Sequence, residues 1–134
     1  MNRTMINFME ENRTVHATKV EKQVTAAMLN MSVPKHLRGF QYLREAIAIV
    51  EQDMEMAGSV TKLLYPVVAK RFHTTGTKVE RAIRNAIEVS WEQGEIEACE
   101  DMFGYSADNS SEHPTNSEYI AIVADRIRRQ EDNE

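Results

Sequence analysis

Tyr65-Pro66-Val67-Val68-Ala69-Lys70-Arg71-Phe72-His73-Thr74-Thr75-Gly76-Thr77-Lys78-Val79-Glu80-Arg81-Ala82-Ile83-Arg84 is the stretch on which the fold turns. Pro66 has no amide hydrogen and disrupts a helix interior, but it suits a first turn, so a short helix is predicted from about Pro66 to His73. Residues 60–65 form its approach. Thr77-Lys78-Val79-Glu80 has capping-box spacing and opens a second helix that runs to about Gln93 and closes at Gly94. Val68, Ala69 and Phe72 supply the inner face of the first helix; Val79, Ala82, Ile83 and Ala86 supply that of the second. A short helix, a tight turn and a longer helix with matching apolar faces make a helix-turn-helix unit. No glycine stands at the bend, so His73 or Thr74 must take a positive φ unless Gly76 relieves it.

On a wheel of 100° per residue, Val79, Ala82, Ile83, Ala86, Ile87 and Val89 fall within an arc of about 160°. Lys78, Arg81, Arg84 and Asn85 project from the other face. In a helix-turn-helix the second helix enters the major groove of duplex DNA, so double-stranded DNA is the expected partner. An arginine fork can bond O6 and N7 of guanine, and a carboxylate can accept from the cytosine amino group, each worth roughly 1–3 kcal/mol of discrimination. Arg81 and Glu80 are therefore candidate base readers. Two plainer roles compete: a basic stripe also serves as an ordinary solvated face, and Glu80, as the fourth residue of a capping box, can bond the amide of Thr77.

Working outward, Thr18-Lys19-Val20-Glu21 again has capping-box spacing, and Val20, Val24, Ala27, Met28 and Met31 follow on one face until Ser32-Val33-Pro34. Residues 1–17 carry no clean period and are expected to form a flexible tail or a fraying helix, leaving 18–130 as the domain. Phe40, Leu43, Ile47, Val50, Met54 and Ala57 predict a long amphipathic helix over about 37–57, stopped at Gly58-Ser59. Downstream, a short helix is predicted at 95–103. A Ser-, Asn- and Asp-rich loop follows from Gly104 to Pro114. Thr115-Asn116-Ser117-Glu118 then caps a last helix with Ile120, Val123, Ala124 and Ile127 inward. No strand pattern competes, so the expected class is all-α, a compact bundle of about six helices containing the helix-turn-helix.

At 134 residues the chain fits a single domain, and 42% apolar and 28% charged residues with five Gly and three Pro make a folded body of ordinary composition. The net charge is −5. It is unevenly spread: residues 58–91 hold six basic and two acidic side chains, whereas residues 92–134 hold three basic and twelve acidic. Because screening confines each patch to a Debye length of roughly 8–10 Å, the basic block keeps its own field inside an acidic chain. The lone Cys99 forms no internal disulfide, and no leader or membrane-spanning run is legible, so a cytoplasmic location is expected. His16, His36, His73 and His113 lack metal-ligand spacing and no phosphate-cradling glycine loop is present, so no enzyme activity, metal or cofactor is expected. Trp91 and Phe103 read as core aromatics, and the eight methionines as adaptable packing.

Val33-Pro34, Tyr42-Leu43-Arg44-Glu45-Ala46-Ile47, Lys62-Leu63-Leu64-Tyr65-Pro66, Val79 through Val89, Phe103-Gly104-Tyr105 and Pro114-Thr115-Asn116-Ser117-Glu118 closely resemble, in order, the C-terminal effector domains of stage 0 sporulation response regulators. The resemblance runs from about residue 24 to 129. It implies a six-helix domain that binds short asymmetric promoter boxes, often as tandem homodimers, and regulates transcription in sporulation. Lys78, Glu80, Arg81 and Arg84 match the family's base and phosphate contacts, with Lys78 where arginine is usual and Asn85 in place of histidine. A lysine there keeps charge but gives up the fork, which favours a phosphate contact. The resemblance further implies a contact to the sigma factor of RNA polymerase through the segment from Gly94 through Phe103 to Tyr105, here made acidic by Glu95, Glu97, Glu100 and Asp101. It places self-contact on Ser117 to Arg128. The residues before the match are too few for the family's receiver domain, so the expected unit is either an excised effector domain or a stand-alone product that competes for the same boxes. The alternative reading is a protein-interaction module that keeps the fold and binds a partner through its acidic last third.

Overall fold

Among the described residues of the computed structural model, six α-helices follow one another: α1 (Arg3–Asn30), α2 (Arg38–Gln52), α3 (Tyr65–Arg71), α4 (Gly76–Gln93), α5 (Ile96–Phe103) and α6 (Asn116–Asp132). The structure describes the backbone of residues 3–94, 96–104 and 113–132, and side chains within 17–94, 97–104 and 113–130. Among the described residues there is no strand, and the class is the expected all-α bundle.

The bundle is organised on α2, which packs against α1, α4 and α6. Its apolar stripe of Phe40, Leu43, Ala46, Ile47 and Val50 is buried, as are Val20, Val24, Met28 and Met31 of α1. From α6, Tyr119, Ile120, Val123, Ala124 and Ile127 close the same core. These are the residues that the three- and four-residue spacing points inward, and removing them from water is the main force holding the helices together.

Four boundaries differ from the expectation. The backbone of α1 is helical from Arg3, fifteen residues ahead of the Thr18 cap. The long helix predicted over 37–57 breaks at Asp53, where φ −143° and ψ 89° leave the helical region and a carboxylate oxygen accepts from the Glu55 amide at 3.2 Å. An aspartate that bonds its neighbouring backbone competes with the helix ladder. A 3₁₀ turn, Met54–Gly58, continues from there and keeps Met54 and Ala57 packed on the core, which is why the apolar period runs on unbroken through the stop. The approach at residues 60–65 is itself helical: Val60–Leu64 forms a π turn in which the Leu64 amide reaches Ser59 O at 3.1 Å and the Tyr65 amide reaches Val60 O. This turn buries Val60 and Leu64 and leaves Pro66 in the first turn of α3, where its missing amide costs no hydrogen bond. The fourth difference, at the start of α4, concerns the site and is described below.

Two contacts set where α4 lies. Gly39, in the first turn of α2, sits so close to α4 that a Cβ at this position would stand 2.1 Å from Ala82 O and 2.9 Å from Ala86 Cβ. Only a residue without a side chain permits that approach. Further along, fully buried Ser90 donates its hydroxyl to Met31 O at 2.5 Å, tying α4 to the end of α1. Beside it, Trp91 meets Phe103 edge-to-face with centroids 5.4 Å apart and Phe103 meets Tyr119 in a tilted contact at 5.3 Å, a chain of rings that docks α5 onto α4 and α6.

Gly39→Ala is expected to lower unfolding free energy by roughly 1–3 kcal/mol, the cost of forcing a methylene-sized group into a packed interface. Gly58→Ala, where an added Cβ meets nothing within 4 Å, is expected to be neutral or slightly stabilising. Urea denaturation of both variants measures the contrast.

Candidate nucleic-acid interface

The turn between α3 and α4 is built by local hydrogen bonds. The Thr74 amide returns to Ala69 O at 2.9 Å, and His73 takes the positive φ of 55° that the tight reversal demands. Histidine is among the non-glycine side chains that tolerate this region. Gly76 is helical and does not relieve the bend.

Thr75 is the N-cap of α4, its Oγ1 accepting from the Lys78 amide at 3.3 Å, so the helix begins at Gly76 rather than near Lys78. The shift arises because the Thr-Thr-Gly-Thr run offers two threonines as caps, and the length of the turn after α3 selects the earlier one. Glu80 consequently lies in the second turn and is not a capping residue. Its carboxylate accepts from Arg84 at 2.8 Å, one turn on. The capping role for Glu80 is thereby replaced by an ion pair on the helix surface.

Val79, Ile83, Ala86 and Ile87 are fully buried, while Lys78, Arg81, Arg84 and Asn85 are exposed and Glu80 is half-buried. The wheel therefore divides as the sequence indicates, except that Ala82 and Val89 are only half-buried and Ser90 joins the inside. Lys78 and Arg81 have no ion-pair partner among the described residues. Arg84 divides its charge with Glu80. At the end of α3, Arg71 is bonded back to Glu45 of α2, so its charge is directed toward the body, whereas Lys70 is exposed.

Gly39 brings the first turn of α2 against Ala82 and Ala86, and the residues just before it, Lys35, His36 and Arg38, are exposed. On the α4 wheel the flank beside Ala82 carries Lys78 and Asn85. Two further exposed cations, Lys35 and Arg38, thus lie in the chain just ahead of the point where α2 meets α4. Sequence reasoning passed over them because the local balance of residues 1–57 is neutral; the signal available was a basic run leading into a helix whose second residue is glycine.

On the opposite flank, Asn116 of α6 lies against the helix-turn-helix. Its Nδ2 donates to Tyr65 Oη at 3.0 Å and to Glu80 O at 3.1 Å. Burial raises the Tyr65 pKa, against the opposing effect of the Asn116 hydrogen bond. Asn116 follows Thr115, whose hydroxyl accepts from the Glu118 amide at 3.1 Å while Glu118 accepts from the Thr115 amide at 3.3 Å, the reciprocal capping box expected there.

The segment expected to meet a sigma factor is only partly described. Gly94 is half-buried and its amide donates to Ser90 O at 2.6 Å. Phe103 is buried between Trp91 and Tyr119, a supporting ring. Tyr105 and Glu95 lie outside the described residues. Glu97 and Asp101 are exposed, and Asp101 is held to Arg126 of α6, whose guanidinium donates to its carbonyl at 2.8 Å. Burial raises the pKa of Cys99, which favours the protonated thiol. Among the described residues no group of three or more His, Cys, Asp or Glu is placed to hold a metal ion, and no helix is long and apolar enough to cross a membrane.

A helix-turn-helix whose longer helix shows a basic outer face, built into a six-helix bundle, is an arrangement for duplex DNA. The family described as Sporulation initiation factor Spo0A C terminal matches residues 24–127, which include every helix of the bundle in whole or in part. The chain therefore belongs to the Spo0A C-terminal family, a family of DNA-binding regulatory domains of sporulation.

Proposed function

We propose that residues 18–130 form a cytoplasmic, sequence-specific transcription regulator that reads short promoter boxes with α4 in the major groove. The observation that carries this reading is the exposure of Lys78 and Arg81 on the first two turns of α4, with no carboxylate neutralising either among the described residues. Arg81 offers its fork to a guanine edge. Lys78, a point charge one turn earlier, meets a phosphate. Glu80 and Arg84 act as a pair: the arginine holds the carboxylate in place as an acceptor for a cytosine amino group and reaches a phosphate itself. Asn85, on the same helix, and Lys35 and Arg38, just ahead of the point where α2 meets α4, extend the contact with the backbone of the duplex.

Activation and pairing use other surfaces. The polymerase sigma factor would meet the exposed acidic side of α5 and its flanks, from Gly94 to Tyr105, with Phe103 anchoring that segment from beneath. A second copy on a tandem box would meet α6 between Ser117 and Arg128. No cofactor or bond-making chemistry enters the proposed role.

Binding of a duplex carrying the family's promoter box, compared with a scrambled duplex by gel shift over a range of salt, tests the assignment. Tight, box-dependent binding is expected to weaken by about 0.9 log units per log unit of salt for each phosphate engaged. Equal affinity for box and scrambled duplex would remove the claim of specificity. Arg81→Ala is expected to cost roughly 1–3 kcal/mol on the box and little on scrambled DNA. Lys78→Ala should weaken both duplexes alike and lower the salt slope by about 0.9. Identical losses for the two variants on both duplexes would refute the separate roles.

A further inference from the structure

Asn116 uses one amide nitrogen to bridge three helices. It sits at the first position of α6, donates one N–H to the Tyr65 hydroxyl of α3 at 3.0 Å, and donates the other to the main-chain carbonyl of Glu80 in α4 at 3.1 Å. A carbonyl oxygen has two lone pairs, and the helix ladder of α4 uses one, so the second is available for this bond without breaking the helix. Tyr65 is itself buried, and its Cβ lies 3.7 Å from where a Cβ on Gly76 would stand, beneath the first turn of α4. The junction thus grips α4 at two levels: at its start through Tyr65 and one turn later through Glu80.

Nothing about capping explains this arrangement. The cap of α6 is made by Thr115 and Glu118 and needs no amide from Asn116. The bonded carbonyl belongs to Glu80, between Val79, which is fully buried, and Arg81, which is exposed. A main-chain bond at this point fixes how far the reading face is rotated about the α4 axis. Apolar packing alone resists translation of a helix better than small rotations, because dispersion contacts are non-directional, whereas a hydrogen bond weakens steeply off its axis. Base recognition demands placement within about 0.5 Å and 10–20°.

We propose that Asn116 is a positioning residue for base recognition: through Tyr65 and the Glu80 carbonyl it sets the rotation of α4 so that Arg81 and Glu80 meet base edges, and it makes α6 part of the reading machinery. The proposal rests on the DNA-reading role assigned to α4. It separates discrimination between duplexes, which needs correct rotation, from general affinity, which needs only charge.

The test compares Asn116→Asp, Tyr65→Phe, the double variant and Thr115→Ala for binding to box and scrambled duplexes, at a temperature where circular dichroism shows every variant fully folded. Aspartate is nearly isosteric and suits a first helical turn, but it presents an oxygen to the Glu80 carbonyl in place of a donor. Asn116→Asp is expected to lower the ratio of box to scrambled affinity by roughly 3- to 10-fold, the scale of a lost hydrogen bond, and to leave scrambled-duplex affinity within about twofold. Tyr65→Phe should lower it less, and the double variant should fall short of the product of the two. Thr115→Ala weakens the same helix through its cap without touching the junction, and the ratio should stay at the parent value. An unchanged ratio in Asn116→Asp, or an equal fall in Thr115→Ala, overturns the proposal. If the parent protein itself fails to discriminate, the reading role of α4 falls and this inference with it; if the parent discriminates and Asn116→Asp matches it, only the inference falls.

Discussion

The close passage of Gly39 over Ala82 and Ala86 is the contact on which the architecture depends. Side chains normally hold helix axes 8–10 Å apart, and a glycine facing alanine removes the spacer at one crossing point. The first turn of α2 can then lie on the backbone of α4, and the buried stripe from Phe40 to Val50 continues past it to α1 and α6. Without that approach, α4 would ride outward by the width of a methyl group, and the Ser90 bond to Met31 O at its other end would be stretched. The helix that carries the basic face is thus held from behind at both ends.

Electrostatics on this face follows from a division between committed and uncommitted cations. Arg71 and Arg44 are bonded to Glu45 and Glu21 and brace α3, α2 and α1 against one another. Lys78 and Arg81, on the solvent side of α4, are held by no such partner among the described residues. Exposed pairs of the first kind contribute little to stability, because water and salt screen them. Their effect is to keep one carboxylate on α1 and one on α2 occupied within the body. On α5 and α6, Asp101 is paired with Arg126 and Asp125 with Arg129. A chain of net charge −5 can in this way present a local positive field.

Much of the bundle was legible in the residue pattern, for a definite reason. The buried faces of α2, α4 and α6 repeat every three to four residues, and apolar side chains at that spacing have no low-energy arrangement except on a common inner surface. The cap at Thr115 was legible because Thr and Glu three apart satisfy each other's amides locally. Where local signals compete, the reading slipped. Two threonines could cap α4, and the earlier one does so because α3 and its turn end there. Asp53 interrupts a helix whose apolar period continues, since a 3₁₀ turn keeps Met54 and Ala57 on the same side. The π turn before Pro66 leaves no distinct period. No local signal marks the burial of Ser90, because its acceptor lies 59 positions away.

The sequence by itself determined the helical class, the helix-turn-helix and the identity of the basic side chains on α4, because each depends on residues within a few turns of one another. Tertiary structure alone decided which face of α2 approaches α4, that Ser90 reaches Met31 O, and that Asn116 reaches both Tyr65 and Glu80. Those outcomes are pairings between residues far apart in the chain, 36 positions in the case of Asn116 and Glu80, and only the packing of the assembled core brings them together.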